Sequence, residues 1–143
     1  MSIGGRALGV DLGAVRIGLA LSDPSGILAT PFMTLERSSD DNETIDRILE
    51  VAAAEDVRSL VIGIPKSLSA SNHIAEERTR LFVETLHGKT KLPIFEVDER
   101  FTTVLAVKQL RETGHDSRSM KSKIDAMAAA QILQSYLDHH GNP

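Results

Sequence analysis

The stretch ALGVDLGAVRIGLALSD, residues 7–23, is an apolar run interrupted by one carboxylate, Asp11. A charge inside a strand is expensive unless it is paired or holds a cation, so Asp11 needs a partner. Two more acidic positions are comparably placed. Asp98 and Glu99 close the apolar run LPIFEVDE (92–99), and Asp125 stands early in a helical pattern. Asp125 shares a helical face with Ala128, Ala129 and Ile132, so it sits on the edge of a sheet-facing stripe. The chain has no cysteine, and its five histidines (His73, His87, His115, His139, His140) lack ligand-like spacing apart from the terminal pair. Thiolate metal sites are therefore excluded and zinc fits poorly. Two or three carboxylates converging from separate elements suit a hard cation with oxygen ligands, Mg²⁺ or Mn²⁺. Two such ions about 4 Å apart can activate water and stabilise the leaving oxygen of a phosphodiester.

Each acid also has a structural reading. Asp11 could accept hydrogen bonds from the Gly13–Arg16 turn, or pair with Arg16 on the next strand. Asp98 and Glu99 precede Thr102 and Thr103 and could cap the next helix, a role that suits Asp98 better than metal binding. Asp125 lies near a predicted helix N-terminus, where negative charge is favoured anyway. The basic residues Arg118, Lys121 and Lys123 would ordinarily form a solvated helix face, but they stand immediately before Asp125, where phosphate would pass.

The elements that must position these acids can be read from the apolar periods. Residues 7–13, 16–22 and 26–35 read as three strands joined by tight turns, an antiparallel meander. Residues 41–57 place Ile45, Ile48, Leu49 and Ala52 on one face, a helix capped at Asp41 or Asn42. SLVIGIP (59–65) reads as a fourth strand, residues 72–87 as a helix, 92–99 as a fifth strand, and 102–113 and 119–138 as two closing helices. Strand alternating with helix implies parallel pairing with helices on both faces. The expected fold is α/β and ribonuclease H-like, a five-stranded mixed sheet in one domain over residues 1–143. In such a sheet, sites form at the carboxyl ends of strands, where Asp11 and Glu99 fall.

Composition excludes other classes. The chain has 143 residues, 41% hydrophobic and 25% charged, with no span long enough for a membrane helix. The N-terminal MSIGGRALGV reads as a strand rather than a signal peptide, and the lack of cysteine suits a reducing cytoplasm. The net charge of −4 argues against holding nucleic acid by bulk charge, so such a partner requires a local patch. Arg100, Lys108, Arg111, Arg118, Lys121 and Lys123 supply one between two of the proposed acids, and the loop RETGHDSRSMKSK (111–123), which carries the last four, is expected to be mobile.

The motifs VDLGAVRIGLALSD with a later TPFMTL, VIGIPKSLSAS, EVDERFTT and KIDAMAAAQILQSYL resemble, in order and spacing, those of the bacterial YqgF family, also called RuvX. The resemblance covers about residues 6–138. It implies a ribonuclease H-like fold similar to the RuvC Holliday junction resolvases, and a cytoplasmic metal-dependent nuclease assigned to trimming the 5′ end of precursor 16S rRNA. The family's acidic positions fall on Asp11, Glu99 and Asp125, which would hold the metal and carry catalysis. Its Gly-x-Pro loop falls on Gly63 and Pro65, and Ser71 keeps the serine that ends it. Arg16, Lys66 and Arg100, with Arg118, Lys121 and Lys123, are the candidate substrate contacts. The chain departs from the family pattern at Ala14 and Val15, where Thr and Lys are usual, and at Ser67, Ser69 and Ala70 in the loop. These departures touch substrate contacts rather than the acids.

Other readings remain. The substrate could be branched DNA, for which a resolvase needs two sites and hence a dimer, whereas a trimming nuclease can act as a monomer. The DxG turn is also similar to the phosphate loop of the actin, Hsp70 and sugar kinase ATPases, which need two such domains. A non-catalytic nucleic-acid-binding module of the same fold is the third class.

Overall fold

The computed structural model describes residues 5–66, 70–110 and 118–141. Five strands form one sheet: β1 (Arg6–Leu12), β2 (Arg16–Ser22), β3 (Ala29–Glu36), β4 (Val57–Ile64) and β5 (Ile94–Asp98), in the order β3-β2-β1-β4-β5. The first three are antiparallel neighbours, while β4 runs parallel to β1 and β5 parallel to β4. This is the meander-plus-crossover order the apolar periods require. Helices α1 (Asp41–Ala54) and α2 (Ala70–His87) cover one face, where Ile45, Ile48, Phe82 and Leu86 pack on Leu8, Leu19, Leu60 and Ile62. Helices α3 (Val104–Gln109) and α4 (Arg118–Tyr136) cover the other, through Val104, Ala128, Ala129, Ile132 and Leu133.

Local chemistry moves several boundaries. β3 starts at Ala29 rather than residue 26, because the Asp23 carboxylate accepts hydrogen bonds from the backbone N–H groups of Ser25, Ile27 and Leu28 and holds them in a turn. Those bonds also lower the Asp23 pKa below the ordinary carboxylate value. The cap of α1 is Asp40, one residue earlier than expected, accepting from the Asn42 N–H at 3.0 Å. Of the stretch read as a helix over 102–113, Val104–Gln109 form α3, Thr102 and Thr103 precede it, and residues 111–113 lie outside the described residues. Arg118, Lys121 and Lys123 ride on α4 itself rather than on a loop, and residues 111–117 lie outside the described residues.

The two faces differ in depth. Large aliphatic side chains separate α1 and α2 from the sheet, whereas α4 meets it almost backbone to backbone. A Cβ at Gly9 would stand 2.7 Å from Leu133 Cβ and 2.8 Å from the Ala129 carbonyl oxygen. At Gly18 it would collide with the carbonyl of Asp125 itself. Paired glycines beneath an alanine-rich helix thus bring Asp125 down onto β2. The prediction is that Gly18→Ala destabilises the protein by about 1–3 kcal/mol, as overpacking against rigid backbone does. Urea unfolding measures this, and an unchanged midpoint would show that α4 is free to lift away.

Candidate active site

Register decides which face the acids share. Asp11 lies directly opposite Gly18 in the antiparallel β1–β2 pair, so their Cβ directions point to the same face, the α4 face. Gly63 on β4 points that way too, since a Cβ there would meet Ile132 Cδ1 at 2.6 Å and Glu99 Oε2 at 2.8 Å. The missing side chain at Gly63 is therefore the space that Glu99 occupies. Chain direction separates the two neighbouring acids at the end of β5. Asp98 accepts from the Arg100 N–H at 3.0 Å, capping the 3-10 turn Glu99–Phe101, while Glu99 turns inward.

Asp11, Glu99 and Asp125 are all buried, at 1%, 5% and 2% exposure, so each must be compensated. Lys108 compensates two of them. Its Nζ lies 2.9 Å from Asp11 Oδ1 and 3.3 Å from Glu99 Oε1, so one ammonium bridges a carboxylate of β1 and one of the turn after β5. Lys108 reaches them because it stands four residues after the buried Val104 on the sheet-facing side of α3. Thr103 Oγ1 donates to Gln131 Oε1 at 2.8 Å and ties the start of α3 to α4. Asp125 is turned to Arg16, whose Nε donates to Asp125 Oδ2 at 2.6 Å. Arg16 therefore pairs across to α4 rather than with Asp11. The turn after Asp11 is closed by backbone, the Gly13 N–H donating to the Arg16 carbonyl at 3.0 Å. Arg37 braces it by donating to the Gly13 carbonyl at 3.0 Å.

Burial is the main cause that pushes the Glu99 carboxyl above its ordinary range; Lys108 opposes it and Asp11 adds to it. Burial also works against the Lys108 ammonium, but Asp11 and Glu99 outweigh it and its pKa lies above the ordinary value. Outside this cluster, Arg100 grips Asp98, its Nη2 2.7 Å from Oδ2, and the side-chain hydrogen bond from Arg100 is the main reason the Asp98 carboxyl is held below the ordinary range.

Of the residues singled out in the sequence, the fold brings Asp11, Glu99 and Gly63 together around Lys108, and seats Asp125 beside them through Arg16. Asp125 stands two turns into α4, beyond the first turn where the helix dipole acts, so that explanation of its charge falls away. Pro65 ends β4, and the Lys66 N–H closes a turn onto the Ile64 carbonyl at 3.0 Å. Ser71 is in the first turn of α2, but its side chain lies outside the described residues. Lys108 was counted in the sequence only as one charge of a basic stretch. Its signal was a lysine one helical turn after an apolar position, a pattern too common to single out.

Among the described residues, no three acidic or histidine side chains are gathered around one point as ligands of a single ion. The donor set nonetheless fits a hard divalent cation: buried carboxylate oxygens from β1, the end of β5 and α4, two of them already facing one positive charge. The Lys108 ammonium stands in for such an ion between Asp11 and Glu99.

A mixed sheet of this order, with helices on both faces, is a ribonuclease H-like fold. RuvC of Thermus thermophilus in complex with Holliday junction substrate superposes with a TM-score of 0.54 at 15% identity, covering 93% of each chain. A second Thermus thermophilus RuvC structure gives 0.51 at 14% identity, over 92% of this chain and 93% of that one. The family described as "RuvX: Holliday junction resolvase" matches residues 5–139, and the chain belongs to it. Relatives bearing the name "Putative pre-16S rRNA nuclease" include one from Rhodococcus opacus, 41% identical over 94% of this chain and 78% of the relative. Another, from Clavibacter sepedonicus, is 43% identical over 96% of this chain and 85% of the relative.

The raised pKa of Glu99 has a consequence for stability. Folding favours its protonated form, so its contribution is full below the ordinary value of 4.5 and is lost as pH rises through the folded value. Above the folded value the ionised carboxylate is a net burden. Lys108, raised from 10.5, keeps its charge throughout this window. Glu99→Gln in EDTA is therefore expected to raise the urea midpoint at pH 7, with a gain that fades as pH falls to about 4. A lower midpoint at pH 7 would mean that the Lys108 pair outweighs the burial.

Proposed function

We propose that residues 1–143 form one nuclease domain that hydrolyses phosphodiester bonds with Mg²⁺ or Mn²⁺, acting in the cytoplasm on the 5′ end of precursor 16S rRNA. The observation that carries this reading is the cluster of buried acids at the end of the sheet, with Asp11 and Glu99 flanking a single positive charge. Family membership and the name of the relatives support the substrate. Asp11, Glu99 and Asp125 would hold the metal and are the catalytic residues. The ion would supply Lewis-acid activation of water and charge stabilisation at the phosphate. In its absence Lys108 and Arg16 keep the carboxylates gathered and charge-balanced, so the site need not be assembled by the ion. No helix among the described residues is long and apolar enough to cross a membrane, which suits a nucleic-acid substrate in solution.

Substrate contacts fall to the cations around the acids. Arg16 is beside Asp125, Lys66 follows the Gly63–Pro65 turn, and Arg118, Lys121 and Lys123 line the first turns of α4. Arg100 is engaged with Asp98, so its role in this reading is to fix the turn that presents Glu99. A second reading, cleavage of branched DNA, is favoured by the likeness to RuvC seated on a Holliday junction. Trimming can proceed in a monomer; junction cleavage would draw on a weak homodimer.

The deciding experiment compares cleavage of precursor 16S rRNA and of a four-way DNA junction by the wild type and Asp11→Asn in Mn²⁺. Cleavage of the rRNA, abolished in the variant while its thermal stability in EDTA is unchanged or higher, is the expected result, since removing one of several clustered charges relieves repulsion. Equal cleavage by both proteins would overturn the metal site, and cleavage of the junction alone would favour the second reading. Replacing Arg118, Lys121 and Lys123 together by alanine should flatten the slope of log affinity against log salt for single strands by up to about 2 units. An unchanged slope would return these residues to a solvated helix face.

A further inference from the structure

Beside the acids, on the same face of the sheet, lies an apolar groove that phosphodiester chemistry does not explain. It has a volume of about 350 Å³ and is lined by Pro31, Phe32 and Met33 of β3 and by Lys123, Ala126 and Met127 of α4. That size falls within the range of about 300–1,000 Å³ usual for pockets that take small organic groups. Phe32, Met33 and Met127 are 41%, 37% and 39% exposed, large apolar side chains held in solvent. The groove has a fixed relation to the site. Asp11, Gly18 and Thr34 stand in one row across β1, β2 and β3, and Thr34 Oγ1 bonds Ser122 Oγ at 3.2 Å across the groove floor. Adjacent strands are about 4.8 Å apart, which puts Thr34 about 10 Å from Asp11. Asp125 is next to Ala126 in the groove wall.

We infer that this groove seats an unpaired base of a single-stranded nucleic acid on Phe32, beside the scissile bond, with Lys123 on its phosphate; the inference deepens the nuclease reading and rests on it. Charge selects this occupant. Neither Lys121 nor Lys123 has an ion-pair partner among the described residues, so an uncompensated cation, Lys123, lines an apolar, aromatic-bearing groove, with Lys121 two residues before it on α4. An aromatic face with neighbouring cations is how proteins hold unstacked bases without reading sequence. A duplex, its bases stacked on one another, has no base face to offer. A second copy of this chain is the poorer occupant on two counts. A two-fold contact would set Lys121 and Lys123 against their own equivalents. Strand addition at β3, the sheet edge, is hindered by Pro31, which lacks an N–H, and by the register shift between Leu19 and Ala20 in the β2–β3 pairing.

The chain contains no tryptophan, so Phe32→Trp creates a unique fluorophore at the groove. Titration with a 12-nucleotide oligouridylate RNA should quench its emission, and a 12-base-pair RNA duplex should not. In parallel, Phe32→Ala should bind the oligouridylate about 5- to 100-fold more weakly than the wild type, the loss expected for one stacked base, with an unchanged salt slope. Circular dichroism at equal concentration checks that both variants fold. If the wild type binds the oligouridylate and the Trp variant is not quenched, or the Ala variant binds equally well, the stacking site is wrong while the nuclease reading stands. Equal quenching by duplex would remove the preference for single strands. An emission shift that follows protein concentration without RNA would give the groove to a second copy. If the wild type binds neither RNA, the nuclease reading fails with it.

Discussion

The close seat of α4 on the sheet is the constraint on which the rest of the molecule depends. Gly9 and Gly18 leave no side chain on the strands, and the alanines of α4 add only methyl groups from the other side. Backbone contact of this kind has little give, because interiors are close-packed and a single carbon atom cannot be accommodated. It fixes the height and rotation of α4, and with them the position of Asp125 over β2. The same helix supplies Ile132 to the wall against which Glu99 is held, and Gln131 to the anchor of α3. Each acid of the site is thus placed by something α4 touches.

Burial of those acids creates an electrostatic problem that the chain solves with its own cations. Three carboxylates shielded from water repel one another and lose hydration, and neither loss is recovered without a positive charge at close range. Lys108 and Arg16 meet that need from opposite sides, one from α3 and one from β2. The arrangement leaves the carboxyl oxygens oriented toward positive charge, the condition a divalent ion also requires. A site kept this way is pre-organised, so an ion bound there would replace one cation with another instead of drawing scattered acids together.

The surface around the site divides by chemistry. Toward β5, Asp98 and Arg100 pair with each other and fix the turn that delivers Glu99. Toward β3, Lys123 of α4 borders an apolar groove with its aromatic residue exposed. A chain of net charge −4 can hold a polyanion only if its positive charge is local, and the acidic residues Asp40, Asp41, Glu43, Asp46 and Glu50 gather instead on and before α1, on the opposite face.

The amino-acid sequence by itself determined the strands and helices and their order, because apolar periods of two and of 3.6 report directly which face is buried. It also determined which acids stand out, since a carboxylate at the end of an apolar run is conspicuous at Asp11 and Glu99. What it left open were partners. Asp11 could have paired with Arg16, its near neighbour in sequence, and Asp98 and Glu99 could both have capped the next helix, a role that suited Asp98 better. Tertiary structure decided both: strand register turned Asp11 to the α4 face, chain direction after β5 sent Asp98 to a cap and Glu99 inward, and Arg16 reached Asp125 across 109 positions. Lys108 entered the site for the same reason. Its place follows from packing α3 against α4, a contact between segments whose separation in sequence carries no periodic signal, and only the folded chain brings such residues within the few ångströms over which an ion pair acts.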